Sequence, residues 1–246
     1  AYLGLGRCIG LGFISVLFYS HRAKGLLAYA GVALALIFLV TLFILGGRGP
    51  LIAAIAPVVL LPIVGKYRVL DPRSGIRLMM VTILSLASFF MINKYFPIME
   101  SQTVVRMRYL AALDGGGRSV LARQQFYKGA YTIWMNRPLL GNGIGSWPVY
   151  FNKSDERGYP HNIILEVLTE FGVIGIVLFG LGILFFLYRT FALWGRGAID
   201  PYALVFLLFL NVAYNAFVSG DLPNNRIFFT IIGLAGGTFL RQPHET

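Results

Sequence analysis

From Leu26 to Leu45 the chain runs for twenty residues without a single charge. At about 1.5 Å per residue, a helix of that length reaches about 30 Å, the thickness of a bilayer's hydrocarbon core. Nothing in such a run can supply the polar face that a helix on a water-soluble surface needs. The remaining sequence agrees, with 57% of 246 residues hydrophobic, 13% charged and a mean hydropathy of +0.72. Soluble domains carry about a quarter charged residues, so soluble globular, disordered and fibrous classes are excluded together. The chain reads as an integral membrane protein. Its 21 Lys and Arg against 10 Asp and Glu leave a net charge of +11. A nucleic-acid partner would need those charges on a solvated face and is not expected; an anionic lipid or lipid-linked substrate fits better. The single cysteine, Cys8, lies in an apolar run and excludes an internal disulfide and a thiolate metal site.

Apolar runs punctuated by charge predict seven membrane helices over 3–19, 26–45, 50–64, 78–96, 162–188, 202–218 and 227–240. The expected fold is an all-α polytopic membrane helix bundle. The third run is short and carries Pro57 and Pro62, so a kinked span is expected. The fourth reaches full length only with Asn93 and Lys94, the latter snorkelling to the interface. Arg22, Lys24, Lys66, Arg68, Arg73, Arg77, Arg189, Arg196 and Arg241 fall on one set of short connections, against Arg48 and Arg226 on the other. The positive-inside rule assigns the first set to the cytoplasm. The turn at 46–49, the segment 98–160 and the turn at 219–226 then share the outer face. This divides the chain into four spans over 1–97, an outer (periplasmic) loop over 98–160, and three spans with a short tail over 161–246. The sequence opens on Ala rather than Met, its first helix enters from outside, and no cleavable signal is visible, so it reads as the C-terminal half of a longer chain.

Only 98–160 has soluble composition. Within it, 119–136 places Val120, Phe126, Tyr127, Ile133 and Trp134 at near-helical spacing, with Arg123 and Lys128 on the other side. That pattern predicts an amphipathic helix lying in the membrane interface. From Pro138 to Pro148, glycines and prolines at nearly every other position predict a tight, turn-rich loop.

Chemistry-bearing residues gather on the outer side. His161 follows Pro160 and precedes an apolar run, which predicts its imidazole in the first turn of the fifth span. Partial positive charge at a helix N-terminus disfavours imidazolium, and a neutral imidazole is a competent general base; the plainer alternative is an interfacial cap. Asn162, Glu166 and Glu170 recur at i, i+4 and i+8 along the same helix. A carboxylate within the bilayer costs about 2.5–3.5 kcal/mol, so both acids face protein or a wet cavity. Pairing with Arg or Lys of neighbouring helices is the expectation favoured for Glu170. Arg48, in Gly46-Gly47-Arg48-Gly49-Pro50, offers a guanidinium fork suited to phosphate, or simply a snorkelling charge. Arg118, after Asp114 and three glycines, opens either an anion-receiving corner or a hinge. Asp221 and Arg226 either pair with each other or touch substrate. The run Gly141-x-Gly143-x-Gly145 follows no strand, which excludes a nucleotide-binding role. His21, His161 and His244 fall on different faces, so no metal site is expected.

The run Pro160-His161-Asn162-Ile-Ile-Leu165-Glu-Val-Leu-Thr-Glu170-Phe-Gly172-Val-Ile-Gly175 closely resembles the signature of the bacterial O-antigen ligase and O-antigen polymerase superfamily. Gly117-Arg118, leading through an aromatic helix to Pro138-Leu-Leu-Gly141-Asn-Gly143-Ile-Gly145, is similar to that family's second block, and Gly46-Gly47-Arg48-Gly49 to its first. Three blocks in order, over roughly 40–190, are far more specific than any one alone. The resemblance implies a glycosyltransferase of the bacterial inner membrane, working on the periplasmic face without metal, nucleotide or other cofactor. Its donor would be an undecaprenyl-diphosphate-linked glycan and its acceptor a glycan or the lipid A-core. It further implies that Arg48 and Arg118 hold the donor diphosphate and that His161 takes a proton from the acceptor hydroxyl, with inversion at the anomeric carbon. Asn162, Glu166, Glu170, Asp221 and Arg226 remain candidates for support. Polymerisation of lipid-linked repeat units is the same chemical step with another acceptor. A transporter or flippase for an anionic lipid-linked glycan would also want arginines and broken helices, but usually shows internal repeats and midplane sites, and neither is visible.

Overall fold

The computed structural model describes residues 2–45, 47–64, 118–193 and 201–239, with isolated helical positions between 80 and 94. Among the described residues every regular element is helical. In chain order these are α1 (Tyr2–Arg22), α2 (Leu26–Leu45), α3 (Arg48–Val64), α4 (Arg118–Asn136), α5 (Ser146–Phe151), α6 (Ile163–Leu193), α7 (Pro201–Val218), a 3-10 turn (Leu222–Asn225) and α8 (Arg226–Phe239). They form two compact units, residues 1–113 with 195–211 and residues 114–194 with 212–246.

In the first unit α1 packs along α2 and α3. Small residues let the backbones approach: a methyl added at Gly6 would lie 3.0 Å from the Pro50 side chain, and one at Gly10 3.4 Å from Ala54. Membrane helices use small residues this way because lipid gives them no hydrophobic drive to associate. Phe13, Ile14, Leu39, Leu42 and Phe43 fill the contact, while Leu27 and Ile37 of α2 face outward. α3 begins at Arg48 and stays helical past Pro57 and Pro62. Pro50 falls in its first turn, where a missing N–H goes unnoticed.

Four described helices are long and apolar enough to cross a bilayer: α1 over Leu3–Ser20, α2, α6 and α7. The described apolar part of α3, Arg48–Val59, is shorter, and α8 has 14 residues. The expected span 78–96 lies almost wholly outside the described residues, as does the first part of the expected outer loop. Seven full spans are therefore not seen among the described residues.

In the second unit α4 lays Phe126, Ala130 and Ile133 against Trp147 of α5, with Phe151 and Leu165 closing the cluster. The expected apolar stripe exists, but protein covers its core. Trp134 is outside that cluster, and its indole N–H donates to the Pro138 carbonyl at 3.0 Å. The glycine-rich loop after α4 turns through positive φ at Gly141, Gly143 and Gly145, as its composition predicts.

α6 departs most from expectation. In place of one continuous span over 162–188, the chain is helical from Ile163 to Leu193 and broken at Gly172, with φ 66° and ψ −160°. Only glycine readily adopts that backbone. The break frees main-chain groups, and the loop after α4 meets them. Asn142 N–H donates to Thr169 O at 2.8 Å and Gly143 N–H to Glu170 O at 3.0 Å. In return Val173 N–H donates to Pro138 O at 2.9 Å and Ile174 N–H to Leu139 O at 3.2 Å. Two main chains cross here, Gly141 against Gly172, so close that a Cβ on either would strike the other's backbone. Below the break, 173–193 is about 30 Å long, and Val177, Leu178, Leu181, Leu184 and Phe185 point outward as a lipid-facing surface. Above it, Ile163, Glu166, Val167, Thr169 and Glu170 are buried.

Candidate active site

The upper part of α6 begins with a side-chain cap. Asn162 Oδ1 accepts from the N–H groups of Ile164 at 2.9 Å and Leu165 at 3.1 Å, satisfying two donors that a helix start leaves open. Asn162 is therefore the N-cap and His161 stands outside the helix, not in its first turn as expected. The cap position goes to Asn because its short amide reaches back to the first turn, which an imidazole does less well.

His161 has φ 58°, a left-handed backbone uncommon for any residue but glycine. Its half-buried ring stacks on Phe126, with centroids 5.6 Å apart and planes 19° apart, and lies 4.4 Å from the Tyr159 ring. Behind it, Trp147 and Phe151 stack at 4.5 Å, and Phe126 meets each edge-on at 5.5 Å. His161 Nδ1 is buried and meets no hydrogen-bond partner among the described residues. Burial pushes the imidazole below its ordinary pKa, the Arg123 guanidinium pushes it the same way, and the Asp221 carboxylate opposes them. The neutral ring expected from sequence is thus favoured chiefly by desolvation rather than by the helix terminus. A neutral imidazole beside a wet surface can accept a proton from a hydroxyl.

Arg123 is a residue the sequence reading set aside on the polar side of α4. Three residues before Phe126, it shares enough of that face to act on His161. Replacing it, Arg123→Gln, is expected to raise the His161 pKa and move the acid limb of any His161-dependent activity toward higher pH. Asp221→Asn is expected to move that limb toward lower pH. Histidine NMR titration, or a pH–rate profile, checks both directions.

The turn after α7 differs from expectation too. Asp221 does not pair with Arg226, whose Nε donates instead to Pro223 O at 3.1 Å. The partner of Asp221 is Arg157, through Nε at 2.8 Å and Nη2 at 2.6 Å, both to Oδ2. Within Ser154-Asp155-Glu156-Arg157-Gly158 nothing distinguishes Arg157 from a solvated loop charge, so sequence reasoning missed it. The two buried glutamates are met by backbone rather than by the cations expected. Glu166 Oε2 accepts from Leu222 N–H at 2.9 Å, and the Glu170 carboxylate accepts from Gly145 N–H. Arg48, half-buried at the start of α3, belongs to the first unit. Arg118 opens α4 in the second unit, and its side chain lies outside the described residues. The second unit thus brings together His161, Arg123, Arg157, Asp221 and Glu166. Among the described residues no group of three His, Cys, Asp or Glu side chains is placed to hold a metal ion.

Four described helices long and apolar enough to cross a bilayer, one of them broken at glycine, define a polytopic membrane protein, with a histidine of lowered pKa beside a capped helix end. Residues 32–180 match the family described as O-antigen ligase, and with more than half of its length matched the chain belongs to that family. The matched stretch contains Arg48, Arg118 and His161 with the blocks around them. Searches among curated proteins and among solved structures gave no match. The family carries a coarse function with it: ligase- or polymerase-type chemistry in a membrane, joining a lipid-linked glycan to an acceptor.

Proposed function

We propose that this chain is an inverting glycosyltransferase that moves glycan from an undecaprenyl-diphosphate carrier to an acceptor hydroxyl at the periplasmic face of the inner membrane. The observation that supports the reading is His161 itself, held left-handed just before α6 with its pKa lowered by burial, within the stretch that matches the family. In the proposed step an imidazole nitrogen takes the proton of the acceptor hydroxyl. The oxygen forms a bond to the anomeric carbon on the face opposite the carrier. The bond from that carbon to the diphosphate oxygen breaks, and undecaprenyl diphosphate leaves with the electron pair. Negative charge growing on the leaving group is met by Arg48 and Arg118, whose guanidinium forks suit a diphosphate through paired hydrogen bonds. No metal is needed for that charge balance. Ligation to the lipid A-core is the favoured outcome, and polymerisation of lipid-linked repeat units is the same step with another acceptor.

Arg48→Ala and Arg118→Ala are each expected to lower transfer about 10²- to 10³-fold, the loss typical of deleting one group that stabilises a developing anion. Lysine at either position is expected to restore little, because a point ammonium lacks the fork. Release of undecaprenyl diphosphate from lipid-linked donor in membranes measures both. Wild-type release by the two alanine variants overturns the diphosphate assignment. Surface polysaccharide from a deletion strain separates the acceptors: loss of core attachment indicates ligation, and single-repeat products indicate polymerisation.

A further inference from the structure

The segment carrying His161 is tied down on both sides, and both ties end on one turn. Four residues before the histidine, Arg157 places two N–H groups on Asp221 Oδ2. Five residues after it, Glu166 takes the N–H of Leu222, the next residue along. The receiving turn is itself stiff. Asp221 Oδ1 accepts from Asn224 N–H at 3.1 Å, and its main-chain oxygen accepts from the N–H groups of Asn224 and Asn225 and from the Asn225 side chain. Asp221 and Asn225 are each 4% exposed, whereas the Arg157 side chain is 63% exposed. An exposed arginine gives up rotamer freedom to hold this geometry, so its fork is fixed by Asp221 rather than by packing.

The ring itself lacks such a hold. In hydrolytic triads a carboxylate grips the second imidazole nitrogen and orients the base. Here His161 Nδ1 has no partner among the described residues, and Asp221, near enough for its charge to be felt at the ring, is taken by Arg157. The ring is placed by stacking on Phe126, by a tilted contact with Tyr159 and by its own backbone, which sits in a sparsely populated region that persists only when its surroundings over-determine it. We propose that the outer turn 219–225 is a clasp that sets the orientation of His161, with Arg157 and Glu166 as positioning residues on its two flanks. Beyond the pull of its charge, Asp221 acts on the base through the backbone it anchors, not by touching substrate. The clasp rests on the reading of His161 as the base.

The test uses the full chain in lipid nanodiscs with Arg157→Ala, Arg157→Lys, Asp221→Asn, the double variant Arg157→Ala/Asp221→Asn, and Glu166→Gln. Asparagine at 221 still caps the turn, since Asn is as good an N-cap as Asp; glutamine at 166 still offers an oxygen to Leu222. Two quantities are read: the imidazole resonances of His161, assigned against His21 and His244 at a pH where the ring is neutral in every variant, and the split between kcat and donor KM. Arg157→Ala and Asp221→Asn are each expected to shift the His161 resonances and lower kcat about 10- to 100-fold. Donor KM stays within about twofold. The double variant is expected to be no worse than either single one, because both break one tie. Arg157→Lys recovers part of the loss, and Glu166→Gln most of the wild-type behaviour. Unshifted His161 resonances overturn the clasp. So do losses that multiply in the double variant, or a donor KM that rises with Arg157→Ala, which would make Arg157 a substrate contact. If Arg157→Ala fails to fold, Asp221→Asn and Arg157→Lys carry the same readings. Should removal of His161 leave transfer intact, the base assignment falls, while the resonance shifts still report on the clasp.

Discussion

Removing the imidazole from position 161 is expected to lower glycan transfer about 10²- to 10⁴-fold, the contribution of a placed general base. His161→Asn is the variant of choice. At φ 58° most side chains are strained, and asparagine is among the few that tolerate the left-handed region. The substitution therefore keeps the backbone and deletes the base, whereas alanine disturbs both. If His161 acts only in the transition state, kcat falls and donor KM does not. Transfer of lipid-linked glycan in membranes is the measurement, and undiminished product from His161→Asn takes the residue out of the mechanism. A loss confined to KM would make it a binding residue instead.

The second large effect concerns Gly172. At φ 66° and ψ −160° an alanine costs about 1–3 kcal/mol in backbone strain alone. Its Cβ would also run into the Leu139 carbonyl and the Gly141 amide, main-chain atoms that cannot swing aside as a side-chain end can. Separating the crossing breaks backbone hydrogen bonds that hold Thr169, Glu170, Val173 and Ile174 together with the loop. Gly172→Ala and Gly141→Ala are both expected to abolish the folded second unit, seen as loss of monodisperse protein in detergent and of its thermal transition. Gly180→Ala and Gly182→Ala are the controls. Both glycines lie in the lower part of α6 with open space where a Cβ would go, and helix propensity alone predicts a gain of about 0.5–1 kcal/mol. Equal stability of Gly172→Ala and Gly180→Ala would mean that the crossing holds nothing together.

These two glycines show what could be read from the sequence and what could not. The membrane class follows from lengths of uncharged sequence, and α1, α2 and α7 match the runs that predict them. The break in α6 does not follow, because glycine at 172 is equally compatible with a helix interior facing lipid. Only the partner loop, 30 residues earlier in the chain, makes its dihedrals necessary. His161 stands out by its neighbours Pro160 and Asn162, yet its exclusion from the helix turns on which of two adjacent residues caps, a choice of one hydrogen bond. Arg123 was recoverable, since it sits three residues from Phe126 on the same helix. The Arg157–Asp221 pair was not: Asp221 stands out in its polar turn, but 64 residues separate it from Arg157, which carries no local mark. Long-range pairs of ordinary charges become visible only once the chain is folded.

The crossing at Gly172 also divides α6 into a part held by protein and a part free to follow the membrane. Because the first nine residues of α6, about 13 Å of rise, are hydrogen-bonded to the glycine loop, a bilayer of another thickness is expected to tilt the rod 173–193 and leave them in place. With His161 as the proposed base, its distance from the crossing is then set by polypeptide length, a yardstick expected to travel unchanged from one membrane composition to another.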